Sequence, residues 1–64
     1  MARELEIEAV RKDSFSGLTK EEKMAGYSML FRAAHAQRAR ITNVGFYAKK
    51  IDGQCAYVFH GELC

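Results

Sequence analysis

Polar and apolar residues alternate along Glu4-Leu5-Glu6-Ile7-Glu8-Ala9-Val10, the period-two repeat of a strand with one buried face. Leu5, Ile7 and Ala9 share that face, and the three glutamates turn the other toward water. Next, Asp13-Ser14-Phe15-Ser16-Gly17 surrounds one aromatic with turn-forming residues, which predicts a loop that tucks Phe15 against the body.

At Thr19 the repeat changes. Thr19 with Glu22 three positions on matches a capping box, in which the hydroxyl accepts from the Glu22 amide and the Glu22 carboxylate from the Thr19 amide. The helix therefore starts at Lys20. Met24, Tyr27, Leu30, Phe31, Ala34 and Ile41 fall within one broad face at about 100° per residue, and Arg38 lies in the same arc with its stem available to the core. This predicts one helix of roughly twenty residues. Its far side carries Ala25, Met29, Ala33, Ala36 and Ala39, small or apolar residues where charges ordinarily stand.

Beyond Thr42-Asn43, the runs Val44 to Ile51 and Cys55 to His60 are rich in aromatic and β-branched residues and meet at Asp52-Gly53, a strong signal for a two-residue hairpin turn. That turn sets Ile51 opposite Gln54, Ala48 opposite Tyr57, Tyr47 opposite Val58 and Phe46 opposite Phe59. One face of the hairpin then carries Val44, Phe46, Ala48, Cys55, Tyr57 and Phe59. It is the more apolar and is assigned to the helix. The other carries Gly45, Tyr47, Lys49, Ile51, Ala56, Val58 and His60. The order strand, helix, strand, strand predicts an α+β fold. It is a small βαββ sandwich whose three-stranded, antiparallel-type sheet has one long helix on one face, a single domain over residues 1–64.

Composition adds two constraints. With 48% hydrophobic and 28% charged residues the chain is globular rather than disordered. At 64 residues it has one small core, and chains of this size commonly draw on a disulfide, a metal or a second copy. Met24 to Phe31 is too short a charge-free stretch to span a bilayer, so no membrane association is expected. Glu4, Glu6 and Glu8 stand where a secretory signal would be basic and then apolar, which predicts a cytoplasmic chain with Cys55 and Cys64 as free thiols, a disulfide closing the short segment between them being the alternative.

Charge is unevenly distributed although the net is only +2. Residues 23–51 hold Lys23, Arg32, Arg38, Arg40, Lys49 and Lys50 and no acid, a block that would attract a polyanion or an acidic protein surface. The plainer alternative is a solvated face whose cations pair with Glu4, Glu6 and Glu8. On the sheet face away from the helix, Tyr47, Lys49 and His60 would stand together beside Gly45, a sparse version of a base-stacking platform. Ile51 and Val58 on that face point instead to burial by a partner.

The spacing of Cys55, His60 and Cys64, with His35 from the helix, raises a small zinc-binding module as a third reading. Alternation along a strand opposes it by sending Cys55 and His60 to opposite faces. No nucleophile elbow, phosphate loop or dinucleotide fingerprint is present, so no catalytic residue, metal ligand or cofactor is assigned. The expectation is a non-enzymatic regulatory protein that binds a macromolecule through a basic helix-hairpin surface. A protein with an acidic surface is the first choice of partner and nucleic acid the alternative. Arg32, Arg40, Tyr47 and Lys49 are the expected partner contacts, and Met29, Ala33 and Ala36 the expected homodimer interface.

Overall fold

The computed structural model describes residues 3–13 and 17–64. The expected docking of Phe15 lies outside the described residues. Strand β1 (Arg3–Lys12) is followed by helix α1 (Lys20–Ala36) and by the hairpin of β2 (Ile41–Ile51) and β3 (Gln54–Leu63). The three strands form one antiparallel sheet in the order β1-β3-β2, with α1 on one face. No described helix is long and apolar enough to cross a membrane.

The hairpin has the register its turn dictates, with Ile51 opposite Gln54, Tyr47 opposite Val58 and Phe46 opposite Phe59. Asp52 and Gly53 both adopt positive φ, 50° and 79°, the backbone of a type I′ turn whose twist matches the flanking strands. β3 is central, and its Cys55 to Phe59 run is buried on both faces, as expected of an apolar stretch without alternation. Leu30, Tyr57 and Phe59 form the core, surrounded by Leu5, Ile7, Ala9, Val10, Leu18, Tyr27 and Ile41. The Tyr57 hydroxyl accepts from the Gly17 amide at 3.1 Å, so its buried oxygen is satisfied.

β1 contains a bulge between Glu8 and Val10, which puts Val10 opposite Tyr57. Ala9 and Val10 therefore both reach the core, where plain alternation would deliver only Ala9.

The capping box of α1 is complete. The Glu22 amide donates to Thr19 Oγ1 at 3.1 Å and the Thr19 amide to Glu22 Oε1 at 2.9 Å. The helix stops earlier than the sequence pattern suggests, after 17 residues. Gln37 is the C-cap and Arg38 turns to φ 54°. The Arg38 amide donates to the His35 carbonyl at 2.9 Å and the Ala39 amide to the Ala34 carbonyl at 3.1 Å, the two bonds of a Schellman ending. Ile41 consequently starts β2 instead of closing the helix, while Arg38 and Ala39 lie in the connecting turn.

Where α1 lies on the sheet corrects a second expectation. The helix packs over β1 and β3 and barely reaches β2. Its buried line is Gly26, Leu30 and Ala34. Met24 and Phe31, expected in the core, are 62% and 48% exposed because they project toward the uncovered β2 side.

Candidate interaction surface

The cations expected to form one patch are divided between two faces of the molecule. Tyr47 and Lys49 pair with Val58 and Ala56 of β3 and project from the sheet face away from the helix. Arg32 stands on the outer side of α1, near the opposite pole of the helix from Leu30. Arg40 lies in the turn before β2, where its carbonyl accepts from the Cys64 amide at 2.9 Å. A single basic surface of Arg32, Arg40, Tyr47 and Lys49 is therefore not assembled. Among the described residues the salt bridges are Arg11 with Glu8 and Lys12 with Glu22, and neither uses a cation from residues 23–51.

The sheet face away from the helix is covered by its own side chains. Across the three strands, Arg11, Ala56 and Lys49 form one row and Glu8, Val58 and Tyr47 the next. Ala56 and Val58 are buried between these longer neighbours, so the monomer already supplies the cover expected from a partner. The Tyr47 hydroxyl donates to Glu6 Oε2 at 3.2 Å, bridging from β2 to β1 over β3. Desolvation, followed by the Glu6 hydrogen bond and the charges of Glu6 and Glu4, raises the Tyr47 phenol above its usual 10.0. The His60 ring lies 5.7 Å from that of Tyr47 and against Gly45, where an added Cβ would come within 3.3 Å of it. Glu4, Glu6, Glu8 and Glu62 outnumber Arg11 and Lys49 on this face, an unfavourable field for phosphates.

Exposed apolar surface gathers elsewhere, in the groove left where α1 stops short of β2. Tyr27 meets Phe59 edge-on at 5.0 Å and Phe46 at 6.5 Å, closing the floor of the groove. Lys20, Met24, Tyr27 and Phe31 follow one another at helical spacing along its helix wall. Val44, Phe46, Ala48 and Lys50 form the strand wall. The pairings of Phe46, Ala48 and Lys50 with Phe59, Tyr57 and Cys55 place them on the helix side, and Val44 packs beside Gly61. Val44 and Phe46 remain 39% and 37% exposed. The Lys23 ammonium sits 5.7 Å from the centroid of the Phe46 ring, a cation-π contact at the mouth.

No carboxylate of α1 or β2 enters this groove. β2 has none, Glu21 points outward from the helix, and Glu22 is held on the other flank by Lys12 at 2.7 Å. The sequence carried a partial signal in Lys23 and Lys50, but Met24, Phe31, Val44 and Phe46 read there as core.

On the β1 flank of α1, Met29 is 47% exposed and Ala36 exposed, while Ala33 is half-buried against its own body. A shallow open depression lined by Ser28, Phe31, Arg32, His35 and Ala36 runs along the outer helix surface. Cys55 is buried on the helix side of β3 and His60 projects from the other, so the expected zinc ligands diverge. Cys55 and Cys64 are free thiols near opposite ends of the same strand, roughly 30 Å apart at strand rise. Among the described residues no three His, Cys, Asp or Glu side chains are grouped to hold a metal.

Compared with protein-family models, curated proteins and solved structures, the chain matches none of them.

Proposed function

We propose that the chain is a non-enzymatic regulatory protein that binds a protein partner with an acidic surface, and that the contact is made in the groove between α1 and β2. One observation supports this reading above the others: exposed Met24, Phe31, Val44 and Phe46 coincide with Lys20, Lys23 and Lys50, none of them in an ion pair among the described residues. Apolar anchors supply affinity, and unpaired cations supply partner choice and association rate. Arg32, Arg40 and Lys49, outside the groove, act through the long-range field instead of direct contact. The setting is cytoplasmic, in keeping with two free thiols. A homodimer through Met29, Ala33 and Ala36 is compatible because that flank lies away from the groove.

The test is affinity capture from host lysate with wild-type chain and Phe31→Glu as parallel baits, with and without nuclease. A protein retained by wild type and lost with the variant in both conditions supports the reading. Retention that survives Phe31→Glu overturns the groove as the site. Nucleic acid is the second reading, favoured by Arg32, Arg38 and Arg40 following closely in sequence through the last turn of α1 and the connection to β2, without ion-pair partners among the described residues. It requires a gel shift with DNA or RNA that weakens steeply as salt rises.

A further inference from the structure

We propose that the groove receives an extended segment of the partner, acidic at one end and apolar at the other, which adds to β2 as a fourth strand. This rests on the groove being the protein-binding site and specifies how it binds. β2 is an edge of the sheet, so one side of its backbone has no strand beside it. The two-residue turn sets the parity of its hydrogen bonds. Ile51, Lys49, Tyr47 and Gly45 face their β3 partners, and Phe46, Ala48 and Lys50 direct their N–H and C=O groups to the free edge. Those same three residues have side chains on the groove side. A strand docked on them would place one set of alternate side chains into the groove.

The walls then determine which side chains fit. Toward Val44 and Phe46 the incoming side chains meet the exposed apolar part of the groove, with the Lys23 ammonium 5.7 Å from the Phe46 ring marking where it gives way to charge, and must be apolar. Opposite Lys50 the incoming residue meets the lysine-rich end of the groove and must be acidic. Charge also excludes the simplest alternative occupant. A second copy pairing through β2 would bring a strand with no carboxylate at all, and so no counter-charge for Lys23 or Lys50. The other edge, β1, is a poor receptor for the same segment because it carries Glu4, Glu6 and Glu8 and lies beneath the helix.

The experiment uses the full isotope-labelled chain and a short capped peptide whose alternate, groove-facing positions run from valine, set opposite Phe46, to glutamate, set opposite Lys50. Three comparison peptides accompany it: one N-methylated at alternate amides, one with lysine for glutamate, and one acidic amphipathic helix. Strand addition predicts slowed hydrogen exchange at the Phe46, Ala48 and Lys50 amides on binding. N-methylation on the docking edge should weaken affinity about tenfold or more. Lys23→Glu with Lys50→Glu should weaken it by about tenfold, and the lysine peptide should not bind. Equal binding of the N-methylated peptide overturns strand addition. If Met24→Glu still abolishes that binding, or the acidic helix binds with the same dependence, the groove reading survives alone. If no acidic peptide binds in a Met24-dependent way, both fall. A dimer in light scattering that Phe46→Lys dissociates also overturns the proposal, by assigning the groove to a second copy.

Discussion

Gly26 of α1 lies directly on the ring of Phe59 in the central strand: a Cβ added there would fall inside van der Waals contact of Cε1 and Cζ and 2.7 Å from Cε2. Phe59 is fully buried, so its ring has no free direction in which to yield. The missing side chain at Gly26 sets how closely the helix approaches the sheet.

Replacing a helical glycine by alanine ordinarily stabilises by about 1 kcal/mol. At Gly26 the sign should reverse, because overpacking a fixed ring costs about 1–3 kcal/mol and exceeds the gain in helix propensity. Gly26→Ala is expected to lose up to about 2 kcal/mol net, read as a lower urea midpoint with an unchanged slope. A stabilised Gly26→Ala protein would contradict the close approach.

Arg38 offers the opposite effect. It occupies the left-handed position of the Schellman ending at φ 54°, where glycine avoids a Cβ clash of about 1 kcal/mol. Arg38→Gly should raise stability by about 0.5–1 kcal/mol, and Arg38→Ala should give none of that gain, since alanine keeps the Cβ. Thermal unfolding of the two variants side by side separates the backbone effect from loss of the guanidinium.

Local devices are legible in the sequence, whereas tertiary placement is not. Thr19 with Glu22, and Asp52 with Gly53, are local devices whose chemistry involves only near neighbours, so the helix start, the hairpin and its register can be read directly. The helix end cannot, because Gln37-Arg38-Ala39-Arg40 contains no glycine, asparagine or proline and the apolar spacing continues to Ile41. The groove is hidden for a different reason. Periodicity says which side of α1 is apolar but not which strands that side lies over, and with the helix over β1 and β3, Met24 and Phe31 stay exposed. A run of cations in sequence likewise does not specify a face: α1 and the far side of β2 carry Arg32 and Lys49 to opposite sides of the sheet.

Lys12 and Glu22 tie β1 to the first turn of α1. The Lys12 side chain, then the Thr19 backbone, hold the Glu22 carboxyl below its usual 4.5. A carboxylate pKa lowered by folding contributes stability above the ordinary value, and this is lost as pH falls through the lowered one. Lys12→Met should therefore move the Glu22 titration back toward 4.5, followed by NMR of the side-chain carboxyl. It should also flatten the loss of stability below that pH. An unmoved titration would show that the bridge is absent in solution.

Self-association through Met29, Ala33 and Ala36 is best probed at its exposed members. Ala33 is half-buried against its own body, so Ala33→Glu would disturb the fold as well as any interface. Met29→Glu and Ala36→Glu introduce the same charge where a single chain has room for it. If copies meet on this flank, light scattering will show dimer mass for wild type and monomer mass for both variants, with unfolding midpoints little changed. A wild-type protein of monomer mass at high concentration would remove the interface.

Tyr47 and Glu6 supply a test of the opposite sheet face. Their hydrogen bond spans the whole width of the sheet above Val58, and Tyr47 must stay protonated to donate it. A phenol pKa raised by folding contributes stability that is present below the ordinary 10.0 and lost as pH rises through the raised value. Glu6→Gln removes the acceptor charge but leaves an oxygen, so the Tyr47 titration should fall toward 10.0 without returning fully, because desolvation, the leading cause, remains. Tyr47→Phe should leave the fold intact and increase exchange of the amides in the Glu8, Val58 and Tyr47 row, since Val58 loses its tethered cover. Site-resolved tyrosine NMR measures the first effect and hydrogen exchange the second. A Tyr47 titration indifferent to Glu6→Gln would mean that the two side chains do not meet, and that the central strand is left to a partner for cover.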